Sequence, residues 1–512
     1  MSDIVTLNGY KIKDEKAVRS YETVALMKAD TKLKEGYHVK TKGYYEANDG
    51  GHGEYIIVDD DTLVDDGGLI HVLTNGLRAK LIISDTIYPE QMGAKGDGTT
   101  DDTSAITKAI NTEKTVHLNK NYKLTSLNIS NKKLDIKCTG KITGNVLNFS
   151  GCTGYVEINA DSTGSDNFVT FTNCDEITIR GTYKNAPRNA VIVSDCNNAD
   201  VSVNIYNSGL SGLIIAGYQE NPKGINIHDC YIERSGQISG YNNAIYVNST
   251  DSTYYYENVN INNCICRDNG CGGIFISADH VNVANCCIET TGTVTPQTAN
   301  GMRIHDCKYV NVNNCEIKAS IRNGIEICKA SYINVTNCIA KNCNNAGYHA
   351  LYDTTEAGRY YGEDANTNVT FNSCMSIDNS QAGNNQYPGF LVTSYRNISL
   401  VNCMVNSTGA IKHSTGVLGN SPVNLTIVGC IFTNSQSNSG TNVNPKVGHF
   451  IDGNGGHMNI GGTYRSSIGN FGISTERQVS INAGSSLESV IKFVSALCAY
   501  LESYGVLTTT SS

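Results

Sequence analysis

The sequence predicts an all-β protein built as a right-handed parallel β-helix, a solenoid, with a small β-rich module before it and a short helix after it. Three observations carry this. An apolar-x-apolar unit closing on cysteine recurs eight times, and a second alternating strand opened by Gly or Ala sits between the copies. Composition agrees: 512 residues hold 50 glycines, no tryptophan and only 39% hydrophobic residues, which suits many short strands and turns.

Residues 21–82 contain YETVALMKADTKLKEGYHVKTKGYYEANDGGHGEY and DDGGLIHVLTNGLRAKLI, and YPEQMGAKGDGTTDDTSAITKAI follows. In the last stretch, SAITKAIN sets apolar side chains at helical spacing behind Asp and Thr capping candidates, so a short helix near 101–111 is expected to cover the open first coil. Asp97, Asp101 and Asp102 lack the full ligand pattern and terminal glutamate of a calcium loop, and capping is the better reading. The stretch from Tyr88 is similar to the opening motif of the pectate-lyase-like superfamily found in bacteriophage tail spikes and neck appendages. Residues 21–82 resemble the small β-rich module that precedes that motif in phage appendage proteins. With the coils, the resemblance covers most of the chain. It implies a virion attachment or head module over 1–88, a solenoid over 89–475, and contact with other virion proteins through the module.

The solenoid is written in its repeats. INIHDC, VNINNC, VNVANC, VNVNNC, INVTNC, VTFNSC, ISLVNC and LTIVGC end at Cys230, Cys264, Cys286, Cys315, Cys338, Cys374, Cys403 and Cys430. Successive cysteines are 22 to 36 residues apart, one coil with turn loops of variable length. The intervening strands open at Ala244, Gly273, Gly301, Gly324 and Gly347. A single strand with one apolar face cannot bury it alone, so coils must stack at about 4.8 Å with like residues superposed. The cysteines then form an interior ladder, and the absence of CxxC or Cys/His clustering argues against a metal site. No cofactor is expected. After about residue 475 the pattern changes. Ser485-Ser486-Leu487-Glu488 makes a capping box before apolar positions in a short heptad, which predicts a helix within 476–512. That helix packs on the solenoid or on its copies; tail spikes are typically trimers, so the resemblance favours a homotrimer.

A net charge of -9 without a basic face excludes nucleic acid as a partner, and a neutral or polyhydroxylated ligand fits more easily. The N-terminus lacks the basic and apolar regions of a signal peptide, and no stretch approaches the roughly 18 apolar residues of a membrane span. The expectation is a soluble product of the host cytoplasm, destined for the virion, that does not insert into membrane. Nineteen cysteines, an odd number in a long chain, do not read as a disulfide framework.

If the strand-opening glycines are equivalent, Tyr246, Phe275, Arg303, Glu326 and His349 form one outward stripe. Rings suited to stacking on sugar faces, followed by Arg, Glu and His for orientation and proton transfer, suit a groove for an extended glycan; a solvated surface is the even alternative. Farther along the same strands come His305, Asp306, Lys329 and Tyr352, with Asp353 close behind. Insertions at 249–258 and 353–368 carry Tyr255, Tyr256, Arg359, Tyr360 and Tyr361, which either wall the groove or contact another subunit. A glycosidase needs a protonated acid and a second carboxylate, for which Glu326 is the first candidate, with Asp306 and Asp353 beside it. Arg303 or His305 would keep one carboxylate ionised. A lyase would draw on Arg303, Lys329, His349 and Tyr352 instead. The functional expectation is therefore a tail-spike or appendage protein that binds and cleaves a bacterial surface polysaccharide. A glycan-binding protein without catalysis, a pectinase-like bacterial enzyme and a structural fibre are the rivals.

Overall fold

A computed structural model describes residues 5–7, 10–12, 18–433 and 441–444, apart from 219–222, 239, 241, 250–255, 295–298, 353–366, 384–385, 412, 415 and 421–422. The helix expected within 476–512 lies outside the described residues, as do Tyr255, Asp353, Arg359, Tyr360 and Tyr361.

Alternation sets the N-terminal module. Strands Arg19–Tyr21, His38–Thr41, Gly53–Val58, Arg78–Leu81 and Ile70–Val72 lie side by side in that order, antiparallel except for the first pair. Their inward residues, among them Val39, Tyr55, Ile57, Ala79 and Leu81, bury with Val24 and Met27 of a helix at Val24–Ala29. Thr23 caps that helix by accepting the Leu26 amide at 3.2 Å.

The first solenoid strand, Thr86–Ile87, pairs in parallel with Thr115–Leu118. Between them a helix at Thr103–Asn111 buries Ala105, Ile106, Ala109 and Ile110. Asp102 stands at its N-cap position, but its carboxylate turns to the preceding loop and accepts the amides of Lys95 and Gly96 at 2.8 and 3.1 Å. Asp97 accepts the amides of Thr99 and Thr100, and Asp101 those groups of Thr103 and Thr125 that hold the loop to the next coil. These bonds hold the Asp101 carboxyl down at about 2. The acidic run therefore spends its oxygens on backbone and threonine hydroxyls. Module and solenoid meet here through Tyr45, whose Oη donates to the Gly93 carbonyl at 2.9 Å, and within the solenoid Tyr122 Oη donates to the buried Glu90 at 2.8 Å.

From Leu213 onward each coil has three strands, as in Ile325–Cys328, Ser331–Thr336 and Ile339–Lys341, and each strand pairs in parallel with its counterpart in the next coil. The hand of the coil is right, as parallel crossovers demand. Inward positions superpose: Ile225, Val259, Val281, Val310, Ile333 and Val369 form one buried row of the second strands. Each such side chain contributes roughly 1.5–3 kcal/mol by leaving water.

The cysteine ladder sits at the corner between second and third strands and is buried from Cys230 to Cys430. The residue before each cysteine takes a left-handed backbone, as at Asp229 (φ 53°), Asn263 (φ 53°) and Asn337 (φ 52°), which explains the Asn and Asp of the repeat. The turn aims the thiols from Cys230 to Cys403 at the carbonyl two residues back; Cys264 and Cys286 meet those of Asn262 and Ala284 at 3.3 Å. Upstream, second and third strands run on as single strands, Ile177–Ala186 and Asp200–Ser208, and the corner has no cysteine. A second row that repeat comparison misses, Cys152, Cys174, Cys196 and Cys307, fills the corner after the first strand.

Candidate functional site

Alternation and the glycine that opens each first strand put the stripe residues on its outward face, and pairing brings them together. Tyr246 pairs with Phe275, Phe275 with Arg303, Arg303 with Glu326, and Glu326 with His349. Earlier coils carry Thr170, Ile192 and Ile214 in this row, and later ones Leu391 and Leu418. The five residues are thus a polar and aromatic stretch bounded by Ile214 on one side and Leu391 on the other, spanning about 19 Å at the coil spacing.

The rings of Tyr246 and Phe275 lie 4.9 Å apart, and His305 approaches Phe275 at 5.9 Å. Asn248 donates to the Tyr246 hydroxyl at 2.9 Å. Next along the row, Arg303 Nε meets Glu326 Oε1 at 2.9 Å, and Asn323 Nδ2 donates to Glu326 Oε2 at 2.8 Å. Asn323 is itself fixed, its carbonyl accepting the Ala346 amide at 3.2 Å while its own amide reaches Asn300 Oδ1 at 3.2 Å. His349 Nδ1 stands 3.4 Å from Asn323 Nδ2 and 3.9 Å from Glu326 Oε2, and Nε2 lies 3.5 Å from the Thr393 hydroxyl. Burial lowers the His349 pKa against the pull of Glu326, with Arg322 adding to the lowering. The ring is therefore a neutral base beside a carboxylate that would accompany its protonated form.

Exposure revises the individual assignments. Glu326 is only 2% exposed, whereas Arg303 and His349 show 18% and 12% of their side chains. Asp306 is buried at a corner with φ 53°, its amide on the Cys328 carbonyl at 3.0 Å. Two substrate-contact assignments are corrected. Tyr256 is fully buried, its hydroxyl donating to the Ala216 carbonyl at 3.2 Å and lying 3.4 Å from the Cys196 amide; it fills the core beneath the first corner and does not wall a groove. Lys329, in the stack beside Asp306, is 1% exposed with φ 51°, so it offers no open surface for contact. Tyr352 packs partly against the core. Sequence reasoning missed Asn323, whose signal is its place one residue before a strand-opening glycine in RNGIEI.

A charged row after the ladder cysteines pairs Glu233, Arg267, Glu289, Lys318 and Lys341 in register, with an Arg267–Glu289 ion pair at 2.8 Å, and is a salt-bridged surface.

Residues 20–84 match the family model described as a phage tail protein small four-stranded beta-sheet domain, and residues 238–358 match a right-handed beta helix region. No curated protein sequence matches the chain. Among solved structures, the enzymatically active domain of tailspike protein 2 from bacteriophage CBA120 aligns at 13% identity and TM-score 0.41, over 80% of this chain and 57% of that one. A tailspike of Acinetobacter baumannii bacteriophage Fri1, described as a capsular polysaccharide depolymerase, aligns at 12% identity and TM-score 0.42, covering 85% and 75%. A tailspike of Acinetobacter phage AS12 aligns at 14% identity and TM-score 0.47, covering 81% and 74%. The chain spans a little over half the length of the CBA120 domain. Two family models thus match in succession along the chain, a phage tail protein β-sheet domain first and a right-handed β-helix region after it.

Proposed function

We propose that the chain is a tailspike or appendage protein of a phage virion that binds a bacterial surface polysaccharide along the outward row of its first strands and depolymerises it at Arg303, Glu326 and His349. The observation that carries this is the row itself, where two rings in contact lead directly into an ion-paired Arg–Glu–His group and aliphatic residues occupy the same position on either side. Sugar faces stack on Tyr246 and Phe275. Arg303 pairs with Glu326, Glu326 and Asn323 orient His349, and neutral His349 takes or returns the proton. In a two-carboxylate hydrolysis Asp306, one coil before Glu326, and Asp353 are the further carboxylates; in an elimination Arg303 faces the uronate. The phage tail domain at 20–84 supports a virion location and attachment to other virion proteins through the module, and the homotrimer belongs to the same reading.

A second reading, binding without cleavage, is favoured by one observation: Glu326 is 2% exposed, so it positions its neighbours more readily than it touches a sugar. The deciding experiment incubates the protein with purified capsular and wall polysaccharides, following new reducing ends together with the ultraviolet absorbance of an unsaturated uronate. Reducing ends alone mean hydrolysis, and added absorbance means elimination. Glu326→Gln and His349→Ala, checked for unchanged melting temperature, are expected to lower either rate by about a hundredfold or more. Tight binding with neither signal leaves the adhesin.

A further inference from the structure

On a different face, the second strands carry an exposed aromatic stack. His280 and Tyr309 lie 4.9 Å apart with planes 15° from parallel, and Tyr309 and Tyr332 lie 5.0 Å apart at 14°. Tyr309 is 48% exposed and Tyr332 43%. All three have left-handed backbones, with φ of 56°, 61° and 60°. The equivalent left-handed positions in the flanking coils are Asn258, Asn368 and Asn397. Asparagine and histidine tolerate this conformation far better than tyrosine does, so Tyr309 and Tyr332 stand where local backbone preference opposes them. Strain of that kind persists where a surface has a use for the side chain.

Beside the rings runs a ladder of amides. Asn282 Nδ2 donates to Asn260 Oδ1 at 3.2 Å, Asn311 to Asn282 at 3.1 Å, and Asn334 to Asn311 at 3.1 Å. Both ladders stop at the same coil boundary. After Tyr332 the stack meets Asn368, and after Asn334 the amides meet Thr370. The last ring therefore presents a face with no further ring on it, and among the described residues no hydrogen-bond donor reaches Asn334 Oδ1. A cavity of about 280 Å³ opens at this step, lined by Tyr309, Asn311, Tyr332, Asn334, Asn368 and Thr370. Asn368 Oδ1 accepts from Asn397 at 3.2 Å, which leaves its N–H groups for a ligand.

We infer that this cavity is a second carbohydrate site, separate from the first-strand row, that takes one pyranose ring of a polysaccharide chain. The apolar face of the sugar continues the stack on Tyr332, a hydroxyl donates to Asn334 Oδ1, and Asn368 donates to a ring or hydroxyl oxygen. The volume lies just below the roughly 300–1,000 Å³ of small-molecule sites, which suits one ring and not an oligomer. The lining carries no charged group, so the sugar it takes is a neutral one. A site that holds one unit while the distant row works on another keeps a long chain on the particle between events.

The inference rests on the polysaccharide reading, and the test separates the two. Tyr332→Asn installs the residue its neighbouring coils use at the same φ, so it is expected to fold with an unchanged or raised melting temperature. Wild type, Tyr332→Asn and Glu326→Gln are compared by affinity electrophoresis in gels containing each purified capsular polysaccharide, with sedimentation measured in parallel. Tyr332→Asn is expected to bind about five- to tenfold more weakly, the scale of one lost stacking contact, while cleaving short oligosaccharides at the wild-type rate. Equal retardation of Tyr332→Asn and wild type on a polysaccharide that wild type binds overturns the second site and leaves the first-strand reading standing. A changed oligomeric state in Tyr332→Asn also overturns it, because the stack is then a subunit contact. If wild type binds none of the polysaccharides, the functional reading fails and the second site fails with it.

Discussion

His71 and His413 show how burial converts into a pH dependence. His413 is fully buried: its Nε2 accepts the Asn379 amide at 3.2 Å, so its Nδ1–H donates to the Ser407 hydroxyl at 2.7 Å. His71 is 1% exposed, with Asp65 3.9 Å away. Burial lowers both from 6.5 to about 4. The folded pKa lies below the unfolded one, so the full stability is present above about 6.5 and is lost as the pH falls towards 4. Each ring accounts for up to roughly 3 kcal/mol over that window. His349 adds a loss of the same sign, whereas the stability that Asp101 contributes, with its carboxyl held at about 2, is lost only as the pH falls below 3.8. Melting temperature followed from pH 7 downward should therefore drop well before the carboxylates titrate, and His413→Gln should flatten that limb; an unchanged limb would refute the assignment. Individual residues were also where sequence reading reached its limit. The Tyr246–His349 row was legible because alternation and glycine fix which side chains point outward. The burial of Glu326, Lys329 and Tyr256 was not, because it depends on what lies over and under the coil. Tyr256 closes a tyrosine run that resembles a surface loop, yet its ring enters the core beneath Cys196.

At the level of the strand and corner, two residue types hold the coil for different reasons. A Cβ on Gly301 would stand 2.2 Å from Ile317 Cγ2, and one on Gly324 would stand 2.7 Å from Ala340 Cβ. Close packing between first and third strands thus selects the glycines that mark the repeat. Asn285, at φ 57°, is selected by its backbone, and its side chain also donates to Asn262 at 3.0 Å. Gly301→Ala is therefore expected to destabilise by about 1–3 kcal/mol through overpacking. Asn285→Ala should cost about 1–2 kcal/mol and Asn285→Gly appreciably less, since glycine accepts the left-handed turn. Denaturant midpoints check both, and an Asn285→Gly variant as unstable as Asn285→Ala would show that the amide bond outweighs the backbone. These rules made the coils from Leu213 onward readable. They fail upstream, where strands such as Ile177–Ala186 run through the corner without a cysteine, so the earlier coils left no comparable signature. The row Cys152, Cys174 and Cys196 sits at the other corner, out of phase with the repeat used to find the fold.

For the whole molecule, the cysteine rows make the solenoid report on its own cooperativity. The eighteen described cysteines are all thiols, and only Cys287 among them is not buried. Burial raises the thiols of Cys138 and Cys266, so little thiolate forms there near neutral pH. A reductant should leave the melting temperature unchanged. Native labelling with N-ethylmaleimide should modify Cys287 first, once Cys498, outside the described residues, is replaced by serine. Every other thiol must wait for its coil to open. In a solenoid each coil touches only its neighbours, so opening free energy should rise from the ends towards the middle. Cys152 lies near the coils closed by the Thr103–Asn111 helix, Cys430 in one of the last described coils, and Cys286, Cys315 and Cys338 between them. Mass spectrometry of labelled peptides should find Cys286, Cys315 and Cys338 modified last. One common rate for all buried thiols would mean that the chain opens as a single unit, because the continuous apolar interior would then couple the coils more strongly than nearest-neighbour stacking allows.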